Sequence, residues 1–167
     1  MGVPNIVITV GNERKDVSRR AQRDQIVQTL CRLAPIAEDA GITAVFEPLN
    51  ILVNHAGHFL YTSKDGFDIV REVNSPNFKL LFDIYHQQVT EGNLIRNITE
   101  NIDLIGHFHI ADNPGRKEPG TGEIDYINVL KAIKATGYNK YLAFECGQTV
   151  ETPRLMENLR PYLLLAD

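Results

Sequence analysis

With 167 residues, 43% of them hydrophobic, the chain can bury a core of its own as one domain, and nothing in its composition marks a disordered segment. A formal charge of −4 without a basic stripe argues against a nucleic-acid partner, and no apolar run approaches a membrane span. Cys31 and Cys146 form neither a CxxC nor a spaced framework, and no charged-then-apolar leader opens the sequence, so the expected setting is the cytoplasm, with free thiols.

The first expected strand, Ile6-Val7-Ile8-Thr9-Val10, is a continuous β-branched run of the kind buried on both faces of a parallel sheet. Gly11-Asn12-Glu13 leaves it for a helix with Ile26, Leu30, Leu33 and Ala37 on its apolar face, a kink at Pro35 and a stop at Gly41. A second strand, Ile42 to Glu47, leads into a loop from Pro48 to Thr62 whose length marks it as functional. Ser63 is placed to cap a helix carrying Phe67, Val70 and Val73, which Asn74-Ser75-Pro76-Asn77 ends. The third strand, Lys79 to Asp83, passes through Glu91-Gly92-Asn93 into a helix with Leu94, Ile95, Ile98 and Ile102 on one stripe. After the fourth, 106–110, a Pro/Gly-rich loop from Asn113 to Gly122 precedes a helix capped by Asp125, carrying Val129, Leu130 and Ile133 and ending at Gly137. The last strand, Tyr141 to Glu145, is followed by Thr152-Pro153, an N-cap and N1 pair for a terminal helix with Leu155, Leu159 and Leu163. The sequon Asn97-Ile98-Thr99 falls inside a helical pattern and is read as a coincidence.

Serial βα units predict an α/β fold of the (β/α) TIM barrel type, with residues 1–167 as a single domain. A closed eight-stranded barrel takes about 250 residues, so this chain is expected to form a partial barrel. Its outermost strands then lack neighbours, and association with a second copy or a complementary fragment is expected to cover them.

Four strands end on polar residues: Glu47, Asp83, His109 and Glu145. Any one of them could simply cap the following helix or bond a loop amide. In a barrel, however, the C-terminal strand ends converge on one face. Three carboxylates and an imidazole gathered there call for a divalent cation between them, Mn²⁺, Mg²⁺ or Co²⁺. Elsewhere, His55 and His58 are expected to face solvent from the long loop, and Lys64 and Lys117 to be solvated. His107 is read as structural, turned away from His109 by the alternation of strand side chains. Gly120-Thr121-Gly122 is no phosphate loop, because no lysine follows it, and Cys146 is read as a small buried strand residue rather than a nucleophile.

Glu47-Pro48-Leu49-Asn50, Phe82-Asp83-Ile84-Tyr85-His86-Gln87, Gly106-His107-Phe108-His109-Ile110-Ala111-Asp112, Gly115-Arg116, Glu118-Pro119-Gly120-Thr121-Gly122-Glu123-Ile124 and Phe144-Glu145-Cys146 together resemble the hydroxypyruvate isomerase family. That family belongs to the xylose-isomerase-like group of TIM barrels, which also holds the ketose 3-epimerases. The resemblance covers essentially the whole chain and corresponds to the fourth to eighth strands of such barrels. It implies a metal-dependent isomerase of a small α-hydroxycarbonyl compound, hydroxypyruvate, tartronate semialdehyde or a sugar, working by proton transfer through an enediolate. It puts the metal on Glu47, Asp83, His109 and Glu145, makes the two glutamates the acid/base pair, and has His86 and Arg116 hold substrate oxygens. The chain departs from the family in carrying His109 where many hydroxypyruvate isomerases have Gln, which resembles the epimerases. Where the epimerases have a second Glu, it carries Val53, and the Glu91-to-Leu94 and Glu118-to-Glu123 stretches look isomerase-like. The alternatives implied are a ketose 3-epimerase and a noncatalytic truncated barrel that binds a sugar-like ligand or assembles with another chain.

Overall fold

Every strand lies parallel to the one that precedes it in sequence, which requires a crossover between each pair, and a helix fills each crossover. The computed structural model describes residues 2–166. Its elements are β1 (Asn5–Ile8), α1 (Arg19–Ala40), β2 (Thr43–Phe46), α2 (Ser63–Val73), β3 (Phe78–Asp83), α3 (Ile84–Thr90), α4 (Leu94–Thr99), a 3₁₀ turn (Ile102–Leu104), β4 (Ile105–Ile110), α5 (Tyr126–Ala135), β5 (Tyr141–Phe144) and α6 (Thr152–Ala166). The five strands, in the order β1-β2-β3-β4-β5, form a half-barrel of the TIM type. Strand bounds differ from the expected ones by at most two residues at either end.

The side-chain period of two sorts the strands into two faces. Ala44, Phe46, Phe78, Leu80, Phe82, Phe108 and Ile110 enter one buried cluster with the helices. Ring contacts tie it together: Phe46 to Phe78 at 5.7 Å, Phe67 to Phe82 at 6.3 Å and Phe82 to Phe108 at 6.0 Å. The alternate residues, Val45, Leu81, His107, Asp83 and His109 among them, line the concave face. Gly106 lets β4 sit close to its neighbours, because a Cβ there would lie 2.7 Å from Lys79 Cβ and 3.0 Å from Val45 Cγ1.

Local signals set the helix ends, with two departures from expectation. Ser18 caps α1, Gly41 closes it in the left-handed region at φ 64°, and Pro35 lies inside the helix. The cap of α2 is Thr62, whose hydroxyl accepts from the Asp65 amide, whereas Ser63 is the buried first helical residue and donates its N–H to Glu91. Directly after β3 stands a helix the sequence pattern did not announce: α3 begins at once because Asp83 Oδ1 accepts from the His86 amide at 3.1 Å. Asp125 caps α5 as expected, by accepting from the Asn128 amide.

Candidate metal centre

Glu47 and Glu145 stand just past the ends of β2 and β5, Asp83 ends β3, and His109 is the penultimate residue of β4. Glu47 is 6% exposed and is followed by Pro48, which holds it extended and admits no further amide to the ladder. Its amide still donates to Ile8, and the Glu145 amide likewise donates to Ile110, so both glutamates are anchored through their neighbours' backbones. Asp83 is 1% exposed on the central strand, and His109 sits beside it in register on β4.

One atom from each of Glu47, Asp83, His109 and Glu145 lies within 4.8 Å of all the others. His109 Nδ1 is 3.4 Å from Glu47 Oε1 and 3.1 Å from Glu145 Oε2, so two carboxylates converge on one ring nitrogen. Neither Glu47 Oε1 nor His109 Nδ1 completes a hydrogen bond, although both are buried. Burial pushes the Asp83 carboxyl up to about 7; its bond from the His86 amide opposes this and the Glu47 charge reinforces it. For His109, burial acts downward, but the close approach and charge of Glu47, with the Glu145 and Asp83 charges behind it, raise it above its ordinary value. Unbonded donor atoms, a buried carboxyl resisting ionisation and an all-oxygen-and-nitrogen ligand set fit a hard divalent cation. Asp83 shows that capping and convergence coexist: one oxygen caps α3 while the other meets the cluster.

Arg116 reaches the quartet from the loop between β4 and α5. Its Nη2 donates to Asp83 Oδ2 at 3.2 Å and to Glu145 Oε2 at 2.5 Å, and its guanidinium lies 5.4 Å from the centre of the Tyr85 ring. Arg116 itself holds φ 54°, a conformation uncommon outside glycine, so the loop has to be restrained. The restraint is Asp112, which sequence reasoning passed over. Fully buried, it accepts from the amides of Asn113 and Ile124 on Oδ1 and of Gly120 and Gly122 on Oδ2. Those glycine amides are therefore committed to a carboxylate within the chain, which agrees with the rejection of a phosphate loop. The available signal was an Asp directly after a strand and before a Pro/Gly-rich stretch. On the far side of the loop Glu118, also buried, accepts from the Thr149 amide and hydroxyl, and the Gly147 amide donates to the Arg116 carbonyl. The loops that carry Arg116 and Glu145 are thus joined.

His86, in the first turn of α3, is fully buried and its Nε2 lies 3.7 Å from Asp83 Oδ2. Burial, with help from the cationic Arg116, lowers it to about 3. All six predicted site residues are therefore gathered in one region. Three other expectations are corrected. His58 is buried, not solvent-facing, and packs edge-on to His55, which in turn meets the His86 ring at 5.1 Å. His107 is not turned away from His109: residues two apart in a strand share a face, and the rings meet edge-to-face at 5.1 Å. Lys117 is half-buried and bridged to Asp112 and Gly147 by backbone, while Lys64 is exposed and pairs with Asp68. Burial raises the Cys146 thiol, which keeps it protonated and poorly nucleophilic.

A family described as xylose isomerase-like TIM barrel matches residues 1–162. Among curated proteins, the chain is 32% identical to the 2-oxo-tetronate isomerase of Cupriavidus necator, over 98% of this chain and 62% of that protein. It is 32% identical to the hydroxypyruvate isomerase of Escherichia coli, over 97% and 62% respectively. A Brucella melitensis structure titled AP endonuclease, family 2, superposes with a TM-score of 0.88 at 27% identity, covering 95% of this chain and 61% of that one. The 3-keto-D-glucoside 4-epimerase of Escherichia coli superposes with a TM-score of 0.76 at 25% identity, covering 97% and 62%. The chain thus spans about three-fifths of the length of the relatives it matches.

Proposed function

Since this chain belongs to the xylose isomerase-like TIM barrel family, we propose that its strand-end quartet holds one divalent cation and serves the isomerisation of a small α-hydroxycarbonyl acid or sugar. The observation that carries this reading is the convergence of the four donor atoms, with Arg116 spanning Asp83 and Glu145 beside them. Such an isomerisation takes a proton from carbon next to a carbonyl and returns it at the neighbouring carbon. Glu47 and Glu145, both beside His109 Nδ1, are the two carboxylates that take and give it. When bound, Mn²⁺, Mg²⁺ or Co²⁺ supplies positive charge for the oxyanion that develops on the substrate. Arg116 exchanges one of its carboxylate contacts for a substrate oxygen, and His86 holds a second oxygen beside Asp83. The isomerases among the relatives act on small hydroxycarbonyl acids by name, which favours hydroxypyruvate or a close analogue.

A ketose 3-epimerase is the second reading. His109 in the ligand set and the epimerase structures that resemble the fold favour it, while the exposed Val53 places no carboxylate where those enzymes carry one. An acidic site on a chain of net charge −4 disfavours a phosphodiester backbone as substrate. Free Cys31 and Cys146 suit a reducing compartment, the cytoplasm, and among the described residues no helix is long and apolar enough to cross a membrane.

Calorimetric titration of Mn²⁺ into chelator-treated protein tests the centre. Glu47→Gln, Asp83→Asn and Glu145→Gln are each expected to weaken binding sharply, and His109→Gln less so because Gln keeps an oxygen donor. Unchanged affinity across the three carboxylate variants would overturn the reading. Deuterium uptake from solvent into hydroxypyruvate then tests the proton transfer.

A further inference from the structure

We infer that Asn50 fixes the tautomer of His86, so that the imidazole presents a neutral Nε2–H to a substrate oxygen and works as a hydrogen-bond donor, not as a base. The tautomer follows from geometry alone; its use on a substrate rests on the function proposed above.

The amide of Asn50 can be oriented unambiguously. One of its terminal atoms receives the backbone N–H groups of Val53 at 3.0 Å and Asn54 at 3.2 Å, and since backbone amides only donate, that atom is the oxygen. The other is therefore the NH₂ group. It donates to Asn54 Oδ1 at 3.0 Å, an oxygen that also accepts from the Tyr85 hydroxyl at 2.7 Å, and to His86 Nδ1 at 2.6 Å. The Asn50 backbone N–H is directed at the same Nδ1 from 3.4 Å. A proton on Nδ1 would confront two N–H groups inside a buried site. Nδ1 is therefore the lone-pair nitrogen, and the ring's single proton resides on Nε2.

That Nε2 is buried and has no hydrogen-bond partner among the described residues. Asp83 Oδ2, at 3.7 Å, is too distant to accept its proton, and this same oxygen is the one Arg116 contacts at 3.2 Å. A substrate oxygen lying along this edge takes one hydrogen bond from His86 and one from Arg116. A neutral imidazole held this way polarises a carbonyl without giving up a proton. Asn50 is thus a positioning residue, with Tyr85 and Asn54 holding it in place.

Nitrogen-15 NMR of the uniformly labelled full chain, treated with chelator at neutral pH, reads the tautomer directly. His86 is assigned by the signals lost in His86→Gln. The expected pattern is a pyridine-type Nδ1 and a pyrrole-type Nε2. In Asn50→Asp a carboxylate oxygen replaces the NH₂ group, and Nδ1 is expected to become protonated. A pyrrole-type or averaged Nδ1 in the wild type overturns the proposal, and that spectrum decides the matter even if the variant fails to fold. A folded Asn50→Asp protein with Nδ1 still unprotonated also overturns it. With Mg²⁺ present, Asn50→Asp is expected to weaken hydroxypyruvate binding roughly 10-fold, the scale of one hydrogen bond. If the wild type shows the expected tautomer yet binds no hydroxypyruvate, the tautomer assignment stands and the isomerase reading is what fails.

Discussion

Asp83 illustrates how one side chain answers to two demands. As an N-cap it needs only an acceptor oxygen, but as a buried carboxylate beside Glu47 it resists ionisation up to about pH 7. An unfolded Asp releases its proton near 3.8, so between these values the folded chain binds more protons than the unfolded one. In chelator-treated protein the Asp83 contribution to stability therefore falls as pH rises from about 4 through 7, while that of His86, lowered from 6.5 to about 3, rises over the lower part of the same window. Asp83→Asn keeps a capping oxygen and removes the charge, so at pH 8 its melting temperature should exceed that of chelator-treated wild type by several degrees, while Mn²⁺ binding is lost. Thermal scans of both proteins at pH 5 and 8, with and without Mn²⁺, isolate the Asp83 contribution, and a gap between Asp83→Asn and chelator-treated wild type that fails to widen from pH 5 to pH 8 would contradict the assignment. For catalysis, Glu145→Gln is expected to lower kcat by at least about 10²-fold, the usual scale for an acid/base group. Arg116→Ala should chiefly raise KM, since it holds substrate oxygens in ground and transition states alike. Steady-state kinetics on hydroxypyruvate, in a catalytically competent form of the protein, separates the two effects.

Among the connecting segments, the loop from Asn113 to Gly122 depends most on a single anchor. Four backbone amides converge on Asp112, and replacing that carboxylate by Ala leaves them without their acceptor, that of Ile124 in a buried setting. A loss of roughly 2–4 kcal/mol is expected, since each abandoned donor costs on the order of 1 kcal/mol or more. Gly122→Ala tests the same element from the other side, because a Cβ there would stand 2.2 Å from the Asn113 carbonyl oxygen, a contact that only movement of the backbone can relieve. Both variants should show earlier proteolysis at this loop and weaker retention of Arg116 beside Glu145; denaturant melts with limited proteolysis would measure it. The loop from Pro48 to Thr62, whose length suggests a functional role, carries His58 buried and His55 half-buried, because Leu49, Phe59 and Leu60 draw the segment onto the core. Helix α3 escaped notice for a related reason: at seven residues it has no repeated apolar stripe, and its cap is also a site residue.

At the level of the whole molecule, among the described residues β1 pairs with β2 alone and β5 with β4 alone. Ile6, Val7 and Tyr141 are exposed along these two edges. Open parallel edges with apolar side chains favour association, so light scattering after size exclusion is expected to give a mass above the 18.8 kDa of one chain. Val7→Lys should shift that mass downward; a compact wild-type monomer would refute the expectation. The order of βα units, the strand-end quartet and most helix stops were legible in the sequence, since strands of a parallel sheet read as continuous apolar runs and four of the five runs led to a ligand-type residue. Pairings between distant segments were not legible. Asp112 with the Gly120 and Gly122 amides, Asn50 with His86, and Arg116 with Asp83 and Glu145 join residues that no local period relates. Which nitrogen of His86 carries the proton, and whether Asp83 stays ionised, depend on burial and on neighbours 33 to 36 positions away, and only the folded chain brings those together.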